Sequence, residues 1–324
     1  MARLSGGDPS LLRRLNAIAV LRALYAAEEL TLAELVKASE VSRPTVEEIA
    51  ADLGEQGLVE EVLLSPGAPR PRGRPAKRYR FRQESGHVAG LEIGPHQALC
   101  LVADLRGDVV GRARAGLTPE TAAADRLGAA HRVLGTAVEG HANVRMLGIG
   151  TTGVVSGGKV VHNYRLPGWT GVDLPAEFGG GCPVLAGNDT DLATLAEQWR
   201  GAAHGLDDVV YVRAGAAVSL GLLLGGKPHA GHHGAAGEIG ALRQADGFVE
   251  LVAATVLAVD PELVVIGGSD DLLAARLRAE LARLALFPVR VETSALGEEA
   301  VALGAVRLAL SRVERELFSV ADVA

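Results

Sequence analysis

Apolar positions recur every three or four residues through the first sixty residues; from Val88 onward they fall into short blocks of another spacing. In "PSLLRRLNAIAVLRALYAAEE", Leu11, Leu15, Ile18, Leu21 and Leu24 share one helical stripe. Pro9 stands at the first turn, where its missing N–H costs nothing. "TLAELVKAS" predicts a shorter amphipathic helix capped by Thr31. Ser42 opens "SRPTVEEIAADLGEQGLVEE", in which Val46, Ile49 and Leu53 form the buried stripe of a Ser-capped helix. A short helix, a tight turn and a second, capped helix predict a helix-turn-helix unit. "GLVEEVLLSPG" and "KRYRFR" then read as two strands around a loop, the wing of a winged helix.

Beyond Val88 the blocks alternate. "HVAGLEIGPHQALCLVADLRGDVVGRARA" predicts three strands joined by turns, followed by a helix from about Pro119 to Gly140 and the strand-like "VRMLGIGTTGVVSGGKVV". "CPVLAGNDTDLATLAEQWRGAAHG" reads as strand then helix, and "DVVYVRAGAAVSLGLLLGGKPHAG" as a hairpin. "FVELVAATVLAVDPELVVIGGSDDLLAARLRAELARL" is helix, strand, helix. Hairpins followed by strand–helix units, given twice, predict an α/β chain with two similar lobes.

Charge separates the two textures. The formal net charge is −7, yet "PRPRGRPAKRYRFR", from Pro69 to Arg82, carries seven cations and no anion. Residues 1–86 are close to neutral because the acids between Glu28 and Glu61 offset that cluster, so the acidic surplus lies downstream. One module suited to a polyanion and another that is not is the simplest account, with double-stranded DNA as the polyanion.

On that account Ser42, Arg43 and Thr45 lie at the start of a recognition helix. Arg43 reads guanine or grips phosphate, and the hydroxyls bond phosphate or base edges. Glu47 and Glu48 count against a phosphate-facing surface unless they point away or accept from a cytosine amino group. Arg70, Arg72 and Arg74 are minor-groove candidates, Lys77 and Arg78 phosphate candidates, and Tyr79 and Phe81 anchors of the return strand. "RGRP" is also the core of an AT-hook, a solvated linker is a third reading of the loop, and a plain three-helix bundle is the alternative for the helices.

No apolar run reaches membrane-spanning length, and "MARLSGGDPSLLRRLN" lacks the apolar core of a signal peptide. Cys100 and Cys182 are the only cysteines, which predicts a reducing, cytoplasmic setting without a disulfide framework.

The order of motifs carries a family resemblance. "LRRLNAIAVLRAL", "SRPTV" and "GRPAKRYRF", then "GIGTTGVVSGGKVVHNYRLPGW", "GNDTDLATLAE", "GHHGAAGEIG" and "VDPELVVIGGS", resemble the ROK family of repressors, open reading frames and kinases, in its transcriptional-regulator branch. The resemblance covers nearly the whole chain. It implies a winged helix-turn-helix over residues 1–84 and a two-lobed, actin-like ATPase (sugar-kinase-like) domain over 85–324, with a sugar cleft between the lobes.

Where the family's kinases carry Asp-Ile-Gly-Gly-Thr around the phosphates, this chain has Glu92, Ile93, Gly94, Pro95 and His96. The second phosphate loop, usually Gly-Thr-Gly, reads Gly215, Ala216, Ala217. Proline removes an N–H and His96 adds bulk where backbone must approach phosphate, so phosphoryl transfer and a nucleotide cofactor are not expected.

On the sugar side, Asn188 and Asp189 match a pair whose Asp serves the family as base, which makes Asp189 a vestigial base candidate; Asn-Asp at a helix start is also a good N-cap. Glu238 matches a sugar-contacting Glu, and His233 falls where the family often has His. Arg165, in "RLPGW", replaces a neutral polar residue; it favours an anionic ligand such as a sugar phosphate or serves as a surface ion-pair partner. The family's Cys-rich zinc loop is missing: no Cys follows Cys182, the usual His position is Ala241, and His229, His232 and His233 have no accompanying ligands, so no metal is expected. Its loss removes surface that relatives use for ligand contact and subunit packing.

These features predict a homodimeric or higher-order DNA-binding regulator, a repressor of carbohydrate-related genes at an inverted-repeat operator, with a sugar or sugar-phosphate effector. A ligand-independent DNA binder with a vestigial cleft is a variant of this reading. The alternative is a working sugar kinase with an appended DNA-binding module.

Overall fold

The computed structural model describes residues 9–62, 77–213, 218–242, 248–267, 271–285 and 287–319. Contacts divide the chain into two compact units: Met1–Gly86 with Asp104–Arg106 and Ser311–Ala324, and His87–Ala103 with Gly107–Leu310.

The first unit contains α1 (Pro9–Tyr25), β1 (Leu30–Thr31), α2 (Leu32–Ser39), α3 (Arg43–Glu55), β2 (Val59–Val62) and β3 (Arg78–Phe81). Val20, Leu21, Leu24, Leu35, Val46, Ile49, Leu53 and Phe81 make its core. Of the predicted stripe of α1 only Leu21 and Leu24 are fully buried; Leu15 is 46% exposed.

Thr31 caps α2 in a reciprocal box, its hydroxyl accepting from Glu34 N (3.3 Å) while Glu34 accepts from Thr31 N (2.8 Å). Ser42 occupies the N-cap position of α3 but makes no capping bond. Pro44 at the second helical position has no N–H to offer, and the Ser42 hydroxyl pairs instead with Thr45 Oγ1 at 2.8 Å. β3 pairs antiparallel with β1 and with β2, in a register that sets Glu60 opposite Arg80.

The second unit repeats one pattern. Its first lobe contains β4 (His87–Ile93), β5 (Gln97–Asp104), β6 (Val109–Gly116), α4 (Ala123–Val138) and β7 (Val144–Thr151). It continues with the hairpin β8 (Val154–Ser156) and β9 (Lys159–His162), α5 (Leu174–Phe178), β10 (Val184–Asn188) and α6 (Asp189–Arg200). The sheet order is β10-β7-β4-β5-β6, with β7 parallel to β4 and β10. Helix α4 starts later than the pattern suggests, because Thr118 and Thr121 close a turn ahead of it (Thr118 N to Thr121 Oγ1, 3.0 Å).

The second lobe contains β11 (Val209–Arg213), β12 (Ser219–Leu224), β13 (Lys227–Pro228), α7 (Phe248–Val259), β14 (Leu263–Gly267), α8 (Asp271–Leu284), β15 (Arg290–Thr293) and, as far as Leu310, α9 (Ala300–Phe318). Its sheet order is β13-β12-β11-β14-β15, again an antiparallel edge joined to parallel strands. Glycine permits the close helix–sheet contacts. A Cβ on Gly148 of β7 would collide with the Ala305 carbonyl of α9, and one on Gly304 of α9 with the Leu192 carbonyl of α6. Among the described residues, no helix is long and apolar enough to cross a membrane.

Candidate functional site

Strand ends of the second unit bring its polar residues together, as parallel α/β sheets do at the carboxyl ends of their strands. Glu92 lies at the end of β4, Thr151 of β7, Asn188 of β10 and Arg213 of β11, and Ser219 opens β12. Asn188 caps α6 through Oδ1, which accepts from Thr190 N (2.7 Å) and Asp191 N (3.1 Å). Its amide donates to Gly153 O (2.9 Å) and to Glu238 Oε1 (3.1 Å). The capping reading of this residue and its place beside Glu238 therefore hold together.

Asp189 does not face an open cleft. Its Oδ1 accepts from Thr190 N (2.9 Å), and its Oδ2 receives Arg213 Nη1 at 2.5 Å. Arg213 Nη2 also lies 3.8 Å from Glu92 Oε1. The three side chains are 28%, 7% and 4% exposed (Arg213, Asp189, Glu92), so the guanidinium is the counter-ion of two buried carboxylates from the other lobe. Asp189 raises Arg213 above its ordinary pKa.

Burial pushes Glu92 up to about 7, against the opposing pull of Arg213 and of Gln97, which donates to Glu92 Oε2 at 2.9 Å. Asp191 is also pushed up to about 7, by burial first and then by Asp189 and Glu238. Glu238 is raised by burial and Asp189, with Arg165 and the Asn188 amide opposing.

Thr152, Gly153, Asn163, Tyr164, Arg165, Asp189, Ser219 and Glu238 surround a pocket with room for about one water molecule. Arg213 borders a separate groove of about 530 Å³, together with Glu92, Pro95, His96, Arg114 and Gly267 among others. Within its first turn the Gly94 N–H is already donated to Gln97 O at 2.9 Å, and Pro95 has no N–H. Residues 215–217, the second loop, lie outside the described residues.

Of the ligand candidates, Asn188, Asp189, Glu238 and Arg165 are thus brought together. His233 is exposed, edge-on to His232 at 4.4 Å between ring centroids, and does not border the pocket. Sequence reasoning missed Arg213. Its only signal was a cation closing the otherwise apolar "VVYVR".

Behind the pocket the Trp169 indole N–H donates to Thr151 Oγ1 (2.9 Å), and that hydroxyl donates to Ile93 O (2.8 Å). Arg126, fully buried, donates to the carbonyls of Gly94 and Thr118 and lies 5.9 Å from the Trp169 ring. This network fixes the turn after β4 and the segment that carries Arg165.

In the first unit, Ser42 and Arg43 are exposed and Thr45 half-buried at the start of α3. Arg43 Nε meets Glu47 Oε1 at 3.2 Å, Lys77 Nζ meets Glu61 at 2.8 Å, and Arg78 Nε meets Glu29 at 2.8 Å. Arg70, Arg72 and Arg74 lie outside the described residues.

Residues 13–68 match the MarR family model, and residues 88–247 match the model of the ROK family. The chain carries a ROK family domain. It follows a MarR-type winged helix, and the architecture is that of a winged helix-turn-helix joined to a sugar-kinase-like, actin-fold ROK module. The xylose repressor of Caldicellulosiruptor bescii is 22% identical over 72% of this chain and 60% of its own length. NagC of Escherichia coli K12, a DNA-binding transcriptional dual regulator, is 25% identical over 72% of this chain and 58% of its own. The chain thus spans about three fifths of the length of such curated relatives. Among solved structures, a ROK family transcriptional regulator homologous to the E. coli MLC protein has a TM-score of 0.66 at 17% identity, covering 95% of this chain and 98% of that one. A ROK glucokinase from Streptomyces griseus, in complex with glucose and AMPPNP, has a TM-score of 0.60 at 22% identity over 70% of this chain and 100% of that one.

Proposed function

We propose that this protein is a cytoplasmic, homodimeric transcriptional regulator, a repressor of carbohydrate-related genes, whose ROK module senses a ligand and does not phosphorylate it. The observation that carries the reading is Arg213. Its guanidinium occupies Asp189, so the residue best placed to accept a sugar proton is held as an ion pair. The bonded Gly94 N–H and the proline beside it leave the first phosphate turn short of donors, which supports the same conclusion. The winged helix supplies the DNA-binding half, and similarity to a xylose repressor and to NagC supports regulation of sugar genes. Two winged helices would meet the half-sites of an inverted repeat. A sugar or sugar phosphate would have to open the pocket among Asn188, Asp189, Glu238 and Arg165, which now has room for about one water molecule, and that opening would alter the spacing of the winged helices.

A gel-shift titration against the protein's own upstream region tests this. Binding tighter than to random duplex at physiological salt is expected; equal binding would refute it. The alternative, a sugar kinase with an added DNA-binding module, draws support from the glucokinase likeness of the fold. It predicts hexose-dependent ADP release in a coupled assay, where the regulator reading predicts none.

A further inference from the structure

The Arg43–Glu47 pair decides between the two roles open to Arg43, a base reader or a phosphate grip. Arginine presents two forks, a side-on one through Nε and Nη2 and an end-on one through Nη1 and Nη2. Here Glu47, one turn along α3, takes Nε at 3.2 Å. Among the described residues Nη1 and Nη2 have no partner, so the end-on fork is the one left to an incoming acceptor pair.

The surroundings disfavour phosphate. Helix α3, "RPTVEEIAADLGE", has one cation and four acids. Glu47 is exposed and paired with Arg43, so a phosphate brought there would meet its carboxylate. A guanine edge carries no net charge and offers O6 and N7 as paired acceptors that match the free fork. Ala51 and Gly54, exposed one and two turns beyond Glu47, keep that face low enough to enter a groove. The Ser42–Thr45 hydroxyl pair at 2.8 Å closes the start of the same helix.

We infer that Arg43 is the guanine-reading residue of α3 and that Glu47 is its positioning residue, orienting the fork toward the base edge and turning it away from the backbone. The inference rests on the DNA-regulator reading above.

The test is selection of bound sites from a random duplex pool, using the full-length protein and its Arg43→Ala, Arg43→Lys and Glu47→Gln variants, followed by titration of the selected site at several salt concentrations. For the wild type, one guanine position is expected in each half-site, preferred about 5- to 150-fold over other bases. Arg43→Ala and Arg43→Lys lose that preference, the lysine variant with an unchanged salt slope because its charge remains. Glu47→Gln weakens the preference several-fold while random-DNA affinity rises, since an anion facing the duplex is gone. Two results would overturn the inference: Arg43→Ala weakening all sequences equally with about one unit less salt slope, or Arg43→Lys selecting the wild-type site. A wild-type protein that enriches no sequence would bring down the regulator reading itself. Both side chains are exposed, and circular dichroism of each variant confirms the fold before titration.

Discussion

Replacing Arg213 with methionine removes the counter-ion of Asp189 and Glu92 while keeping most of the apolar stem. Both carboxylates are nearly inaccessible, at 7% and 4% exposure, so neither can recover its lost partner from bulk water. Breaking a buried pair from one side costs about 3–5 kcal/mol. The lower end applies, because Arg213 is 28% exposed and Glu92 can take up a proton. We therefore expect a loss of about 3 kcal/mol at pH 8.

The pH dependence gives the sharper signature. Glu92 is raised above the carboxylate value even with Arg213 present, and Arg213 is what pulls it back. Without that pull it rises further. A carboxyl whose folded pKa exceeds its unfolded one stabilises at low pH, and that stability is lost as pH climbs through the folded value. In the wild type the loss is complete just above 7; in the variant it continues, at up to about 1.4 kcal/mol per pH unit. The cost of the substitution should thus be smaller at pH 6 than at pH 8. Urea denaturation followed by the fluorescence of Trp169 and Trp199, the chain's two tryptophans and both in the second unit, reads it directly. A cost below about 0.5 kcal/mol that does not change with pH would mean a surface-like pair and would refute the reasoning.

Three further outcomes follow from other parts of the molecule. Between pH 4.5 and about 7 the Glu92 contribution to stability should fall by about 3 kcal/mol, and Glu92→Gln should flatten the corresponding urea profile, leaving the parallel fall from Asp191. Thr151→Val strips the acceptor from the Trp169 indole and the donor from Ile93 O; a loss of about 2 kcal/mol with altered tryptophan emission is expected. In the first unit Tyr25 is edge-on to Phe81 and Phe318, and its hydroxyl lies 2.9 Å from both Leu105 O and Glu314 Oε1. Tyr25→Phe should cost about 1 kcal/mol and Tyr25→Ala about 3, seen as faster hydrogen exchange across residues 9–25.

Much of this was legible in the chain because local pattern and tertiary role agree. The stripe Val46, Ile49, Leu53 is buried as its spacing implies, and hairpins followed by strand–helix units do form two similar lobes. Asn188, Asp189 and Glu238 could be named because each sits in a recognisable short motif. What escaped has no local signature. Arg213 acquires its meaning only when β11 sets it opposite residues 24 and 121 positions earlier in the chain. The capping failure at Ser42 goes with a proline at one of the two capping positions and with the Ser42 hydroxyl turned to Thr45 Oγ1. The association of residues 104–106 and 311–324 with the winged helix depends on contacts such as Tyr25 with Leu105 and Phe318, across intervals no periodicity spans.

The central claim is that the winged helix delivers this protein to a specific duplex, and nuclease footprinting of the upstream region tests it most directly. Two protected half-sites related by a dyad, with centres one or a few helical turns apart, are predicted at concentrations that leave flanking DNA exposed. Uniform protection, or none before random competitor is equally bound, would contradict the account.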